Sequence, residues 1–357
     1  MLLPLSLAIS PAIAVTNTCT PAGTTGLTTL ITAHSGQVIS GQTINAKGCD
    51  VGVFVPAGSK HVVITGNTIR KANIHAIFAV DSSYITVSRN TVTNNSGGVP
   101  ALSCDNIAPP CINEGKAIQF SGVSHSVISN NFVSNDNFGG IAVTDDGPVD
   151  PGALSPGTSL PAVDNVVTGN TITKVSNDCG IVLAAYNALT SSGNVISGNT
   201  VRGSPPPFGV NPYVGQIVVA TDNLNAIILN TLVENNVVVG STLPGIVVHS
   251  NAPGDKISGT TIEGNRLGNN GYYPSFFSTP NTPTVDNGTV GISLVAEAYP
   301  PFPGAPTLVH TTVVDNVVSP DTIAVWMCNT AHTSITNTPA PGSSVTTPVE
   351  VCSHGGS

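Results

Sequence analysis

Asp146, Asp222 and Glu297 each lie five residues after the isoleucine of a short apolar motif: Gly140-Ile141-Ala142-Val143, Gln216-Ile217-Val218-Val219 and Gly291-Ile292-Ser293-Leu294. Tyr186 and Asn251 hold the same offset from Ile181 and Ile246, and His249 falls three residues after Ile246. If every motif is one strand of a parallel stack, equal offsets form one column with a step of about 4.8 Å per strand. Asp146 and Asp222 are then two strands apart, roughly 10 Å, with Tyr186 between them and His249 one strand beyond Asp222. Two carboxyl groups on one face are what glycosidic hydrolysis uses, one protonating the leaving oxygen and one activating water. A separation of roughly 6.5 to 9.5 Å belongs to the inverting reaction. Asp146, Asp222 and His249 are therefore the candidate catalytic residues. Asp145, Tyr186, Asn251 and Glu297 are the candidate substrate contacts. Two other readings fit the same residues. Aspartates in a D-D-G corner cap backbone N–H groups without doing chemistry, and Asp145, Asp146 and Asp178 together offer oxygen ligands to Ca²⁺. No other cofactor is expected.

The element that must position these residues is a repeat. The segment V-V-T-G-N-T-I-T at 166–173 returns as V-I-S-G-N-T-V-R at 195–202 and V-I-T-G-N-T-I-R at 63–70. Aligned on this core, an asparagine recurs at 67, 90, 131, 170, 199, 236, 265 and 316, with Gln42 in its place in a first, degenerate copy. The shortest interval is 23 residues, and the longer ones contain Pro/Gly-rich insertions; periods of this size signal a solenoid. The Gly-Ile motif follows each Asn unit, with looser copies at Ile77, Ile118, Ile217 and Ile323. The expectation is about nine coils of two or three short strands, with apolar residues stacked inside and an asparagine ladder at one corner. Glycine beside the ladder supplies the backbone angles of a tight corner.

The G-N-T-I/V and G-I-x-V units, spread over 38–327, resemble the right-handed parallel β-helix repeats of the pectate-lyase-like superfamily. The resemblance implies an all-β, right-handed parallel β-helix solenoid with inserted loops. The activities it brings are those of polysaccharide lyases, glycoside hydrolases, esterases and epimerases, alongside adhesins and copper-system proteins. Asp145-Asp146 resembles the Asp-Asp motif of polygalacturonase-type hydrolases, although the N-T-D, G-H-G and R-I-K motifs of that group have no counterparts here. Insertions at 95–115, 147–163, 203–215, 268–289 and 299–307 are where loops would surround a site.

Composition narrows the partners. Of 357 residues only 8% are charged, 10 basic against 19 acidic, for a net charge of −9. This excludes a phosphate-binding nucleic-acid surface. The arginines at 70, 89, 202 and 266 sit beside the ladder, on the other side of the coil from the acidic column, which disfavours cation-assisted elimination there and points to neutral or weakly acidic glycan. Residues 1–14 form an apolar run ending in Ala12-Ile13-Ala14, a signal-peptide candidate. Residues 15–37 read as an N-terminal cap and 328–357 as a C-terminal tail, and no segment is long enough for a membrane span. Cys19 with Cys49, Cys104 with Cys111 and Cys328 with Cys352 are candidate disulfides of an oxidising compartment, leaving Cys179 as a small core residue. The outward positions after each Ile (Phe78, Gln119, Ala142, Val182, Val218, Val247, Ser293, Ala324) form a largely apolar stripe that loops or a homo-oligomer contact must cover.

These features predict a secreted or cell-surface protein that engages polysaccharide. Glycoside hydrolysis is the leading chemistry, with a noncatalytic glycan-binding or adhesin-like role and a polysaccharide lyase as alternatives.

Overall fold

The structure, a computed structural model, describes residues 18–95, 115–136, 139–145, 160–175, 179–203, 215–221, 224–241, 244–271, 289–296 and 305–352. Every regular element among them is a β-strand. One coil runs Ile181–Ala185, Thr190–Ser192, Val195–Ser197, Thr200–Arg202, and the next begins at Ile217–Thr221. Each strand pairs in parallel with its equivalent one coil away, so consecutive coils stack into sheets that run the length of the molecule.

Four sheets result. A long-strand sheet of 12 strands carries the Gly-Ile motifs. A 10-stranded sheet holds the V-I-S strands before the asparagine corner, and a 9-stranded sheet holds the T-I-R strands after it. They are called here the pre-corner and post-corner sheets. A fourth, of 4 strands, begins at Thr190–Ser192 and ends at Thr307–Val309. In the earlier coils its place is held by single bridges linking Lys60, Ser83, Ser124, Val163 and Ser192. Among the described residues all strand pairings are parallel except that of Thr20–Pro21 with Thr28–Thr32 at the N-terminal end. Stacking continues beyond residue 327: Ser334–Thr336 adds to the pre-corner sheet and Thr347–Val351 to the long-strand sheet. Part of what reads in sequence as a tail thus carries further strands.

The three-residue strands work because their centre points inward. Ile128, Val167, Ile196, Val233 and Ile262 stack in one buried column, and Ile69, Val92, Val133, Ile172, Val201 and Val238 in another. Each such buried side chain contributes about 1.5–3 kcal/mol. The chain then turns through one left-handed residue, φ 65° at Gly66 and Gly169 and 62° at Gly198, where glycine carries no steric penalty. The glycine before Ile141, Ile181, Ile246 and Ile292 has a different cause. A Cβ on Gly140 would lie 2.3 Å from the Gly180 carbonyl oxygen, and one on Gly180 would lie 2.4 Å from Val201 Cγ1.

The asparagines form the expected ladder. All eight are at most 1% exposed. Asn131 Oδ1 accepts the backbone N–H (2.9 Å) and the Nδ2 amide (3.0 Å) of Asn90, while its own Nδ2 donates to Asn170 Oδ1 (2.9 Å) and to the Val87 carbonyl (3.0 Å). The same four bonds recur at each rung up to Asn316, whose backbone N–H ends on Thr338 Oγ1. Gln42 holds the first rung through its backbone N–H, which donates to Asn67 Oδ1 at 2.9 Å.

One register differs from the sequence alignment. Val325, not Ile323, pairs with Ile292, so Trp326 falls in the column of Ser293 and Cys328 in that of Val295. The strand Val290–Ala296 begins two residues earlier than its predecessors, and Ile323 pairs with its first residue; Val290 and Ile323 join the cluster around Trp326, whereas Ala324 and Val325 belong to the core. Trp326 therefore replaces Ala324 in the outward stripe.

Disulfides Cys19–Cys49 and Cys328–Cys352 clip the two ends, with Cα–Cα distances of 5.5 and 5.1 Å. Cys104 and Cys111 lie outside the described residues.

Candidate functional site

The long-strand sheet has an inner face in the core and an outer face made of the residues one and three after each core isoleucine. The pairing Thr144↔Ala184↔Ala220↔His249↔Val295 places His249 on the outer face, in the column expected for it. One residue further, Ala185, Thr221, Ser250 and Ala296 share a rung position, so Tyr186 and Asn251 start their corners in register. Asp146, Asp178, Asp222 and Glu297 lie outside the described residues.

Apolar residues dominate the middle of this face. Ala142, Val182, Val218, Val247, Ala184 and Ala220 cluster with Cys179 and the half-buried Tyr186. Trp326 groups with Val290, Val295 and the Cys328–Cys352 pair. The outward stripe itself is covered, and Val182, at 6%, is its most accessible member among the described residues.

Polar side chains interrupt the stripe. Gln119 Nε2 donates to Ser121 Oγ (3.0 Å) and to Thr144 Oγ1 (3.1 Å), and those hydroxyls are 3.4 Å apart. His75 Nδ1 meets the Lys116 carbonyl at 2.9 Å, and the Lys116 side chain belongs to the same buried region. Further along the axis, His249 and Ser293 are buried at 3% and 0%. Such groups on a sheet's outer face require polar partners when they are covered.

Asp145 sits at the exit of its long strand. Its Oδ1 accepts the Tyr186 backbone N–H at 2.6 Å, and the Asn187 amide donates to its backbone carbonyl. Asp145 therefore bridges two consecutive corners, the capping geometry that its D-D-G context allows. Burial pushes its carboxyl up to about 6, against hydrogen bonds from Tyr186 and Asn187 that hold it down. Asp136, on the entry side of the same coil, is more deeply buried. Its Oδ1 takes the Asn95 backbone N–H at 3.0 Å, and burial raises it to about 7. Asn270 and Asp321 repeat that arrangement near the C-terminal end, where burial again raises the carboxyl.

A feature absent from the sequence reading runs along the exposed corner before the pre-corner sheet. His61, Tyr84 and His125 stack with ring centroids 5.1 and 5.3 Å apart, and His125 Nδ1 lies 3.4 Å from Asp164 Oδ2. All four take left-handed backbone angles, φ 51° to 58°. Each stands six residues before a ladder asparagine, and so do His310 and His332 relative to Asn316 and Thr338, their rings 5.1 Å apart. Counting back from the ladder would have found the column.

Among the described residues no three His, Cys, Asp or Glu side chains gather to hold a metal ion, and no helix is long and apolar enough to cross a membrane.

Comparison with known proteins gives the following. Residues 12–147 match a family described as "Periplasmic copper-binding protein (NosD)", less than half of the chain. No curated protein sequence matches. Among solved structures, the A-module of a mannuronan C-5 epimerase from Azotobacter vinelandii is 11% identical with a TM-score of 0.50, covering 90% of this chain and 75% of that one. An alginate lyase from Paenibacillus sp. str. FPU-7 is 15% identical with a TM-score of 0.44, covering 85% and 91%. The catalytic domain of a GH87 α-1,3-glucanase, solved with tetrasaccharides, is 17% identical with a TM-score of 0.45, covering 87% of this chain and 54% of that one. At these identities the likeness establishes fold: the chain is a right-handed parallel β-helix.

Proposed function

We propose that this is a carbohydrate-active β-helix protein of an extracellular or periplasmic compartment, which engages a glycan chain beside the outer face of its long-strand sheet. The observation that carries the reading is the fold, which is similar to that of the A-module of a mannuronan C-5 epimerase; Gln119, Ser121, Thr144, His249 and Ser293 set buried polar groups into the otherwise apolar stripe of that face. Two disulfides support an oxidising compartment. The fold neighbours include a lyase, an epimerase and a glucanase, all acting on polysaccharide, which supports the same substrate class.

In the hydrolytic form of this reading, Asp146 and Asp222 supply the acid and the base, and His249 positions one of them. Tyr186, Asn251 and Glu297 contact sugar. Asp145 fits its environment as a corner cap, its carboxyl raised by burial. A copper role finds no gathered donor set among the described residues, and no step through copper is derived.

A second reading, a noncatalytic glycan-binding module, draws on the Asp145 geometry, since that carboxylate oxygen already accepts a corner N–H.

The test assays the purified protein against a panel of neutral and acidic polysaccharides, followed by Asp146→Asn, Asp222→Asn and His249→Ala. Loss of cleavage with an unchanged melting temperature supports the hydrolase. Binding without cleavage that disappears in His249→Ala supports the module. An absence of both binding and cleavage across the panel overturns the proposal.

A further inference from the structure

The outward side of the post-corner sheet carries a different chemistry from the rest of the surface. In register, its first outward column reads Thr43, Thr68, Thr91, Phe132, Thr171, Thr200, Val237, Arg266, Val317. The second column reads Asn45, Arg70, Thr93, Ser134, Thr173, Arg202, Val239, Gly268. Neither column contains a carboxylate. The corner that follows adds Lys71 and Lys174, both exposed. Five of the chain's ten basic residues (Arg70, Lys71, Lys174, Arg202 and Arg266) thus lie on this side of a molecule whose net charge is −9.

The charge converges at one place. Arg202 and Arg266 line a groove of about 460 Å³ floored by Val237, Val239 and Leu267. They occupy diagonal positions two coils apart, roughly 10 Å along the axis. Both side chains are exposed, and among the described residues neither guanidinium has a carboxylate within ion-pair distance. Phe132 lies further along the same face, 43% exposed, with threonine hydroxyls on either side.

We propose that this face binds an acidic glycan segment lengthwise, the carboxylates of its uronate units pairing with Arg202 and Arg266 and a sugar ring stacking on Phe132. Guanidinium groups suit carboxylates because their paired N–H donors match both oxygens. A flat face of hydroxyls and one aromatic ring suits a chain of sugar rings. Two cations two coils apart select acidic units spaced along a polymer. The site stands on a different sheet from the one assigned under the proposed function and does not depend on it.

The experiment measures binding of an oligogalacturonate and of its carboxyl-reduced counterpart to the intact chain, by calorimetry at low ionic strength. Binding of the acidic form is expected, with the reduced form at least tenfold weaker. Arg202→Gln and Arg266→Gln each weaken the acidic form about tenfold, as loss of a charged hydrogen-bond pair would, and Phe132→Ala also weakens it. Melting temperatures of these exposed variants stay unchanged. A sulfated oligosaccharide bound with the same dependence on both arginines broadens the ligand to sugar anions in general and supports the site. Undetectable binding, equal affinity for the reduced form, or indifference to both arginine substitutions overturns it. Binding that is lost in His249→Ala but kept in the arginine variants assigns the glycan to the long-strand sheet and also overturns it.

Discussion

Asn170 and Asn199 are joined twice: the backbone N–H of Asn170 and its Nδ2 amide both donate to Asn199 Oδ1, at 2.9 and 3.0 Å. Asn170 Oδ1 receives the same pair from Asn131, and its amide also reaches the Ile128 carbonyl. Every hydrogen-bonding position of the buried side chain is filled. Replacing Asn170 or Asn199 by alanine leaves a backbone N–H and an amide of the preceding rung without their acceptor, at roughly 1–3 kcal/mol for each group. The melting temperature should fall by several degrees, whereas Ser197→Ala beside the ladder should change it little. Equal melting of the two kinds of variant would refute the ladder's role.

Gly180→Ala should destabilise strongly for a steric reason. The added methyl would lie 2.4 Å from Val201 Cγ1 and 2.9 Å from the Gln216 carbonyl oxygen, one of them backbone of the next coil. Overpacking of this kind costs about 1–3 kcal/mol. Chemical denaturation should show a lowered midpoint, and Gly36→Ala serves as the comparison: its added methyl would meet nothing within 4 Å, so only the strain of its φ of 75° remains.

Asp136 gives stability a pH dependence of unusual sign. Burial raises its carboxyl from 3.8 to about 7, so the folded chain holds a proton that the unfolded chain releases above pH 4. The stabilisation is complete below the unfolded value and is lost as pH rises through the folded one, a span worth up to roughly 4 kcal/mol. Its Oδ1 accepts the Asn95 N–H, a task that an amide oxygen performs equally well. Asp136→Asn should therefore raise the melting temperature at pH 8 and flatten its decline between pH 4 and 8. A wild-type melting temperature that rises across this range would contradict the assignment.

The Cys328–Cys352 disulfide ties the last long strand, Thr347–Val351, to the one beneath it. Removing it with Cys328→Ser and Cys352→Ser should cost about 2–4 kcal/mol. Amide exchange should show the loss first in residues 347–352, with the mid-ladder rungs still protected. Uniform loss of protection along the chain would mean that the end coil is no weaker than the middle.

How far the sequence could be read depended on how strict each position is about residue type. The ladder corner accepts an amide and little else, so all eight asparagines could be found. The outer-face columns followed, because the spacing from corner to core isoleucine recurs, and the register from Ile77 to Ile292 agrees. At Ile323 the method failed. The apolar run Ile323-Ala324-Val325 offers more than one position for the core isoleucine's equivalent, and the structure takes Val325, with Ile323 in the cluster around Trp326. The His61–Tyr84–His125 stack escaped notice because its position constrains backbone angle rather than side chain, and histidine, tyrosine, aspartate, asparagine and glycine all occur there. Asp145 illustrates a further limit. A corner aspartate and a catalytic one are the same residue in sequence, and the Tyr186 N–H that distinguishes them comes from the next coil, 41 residues away.

The stretch from each pre-corner strand to the end of its post-corner strand is eight residues long in coil after coil, as in Val63–Arg70, Val127–Ser134, Val195–Arg202 and Thr261–Gly268. The stretches before and after each long strand vary widely. Length change is thus confined by the architecture to two seams bordering a single sheet, and the remaining circumference tolerates substitution but no insertion. Descendants of such a chain can gain or shed whole loops along those seams without retuning a single rung. The long-strand side is thus the part of the molecule whose shape is free to differ, while the asparagine corner is held to one length and one chemistry.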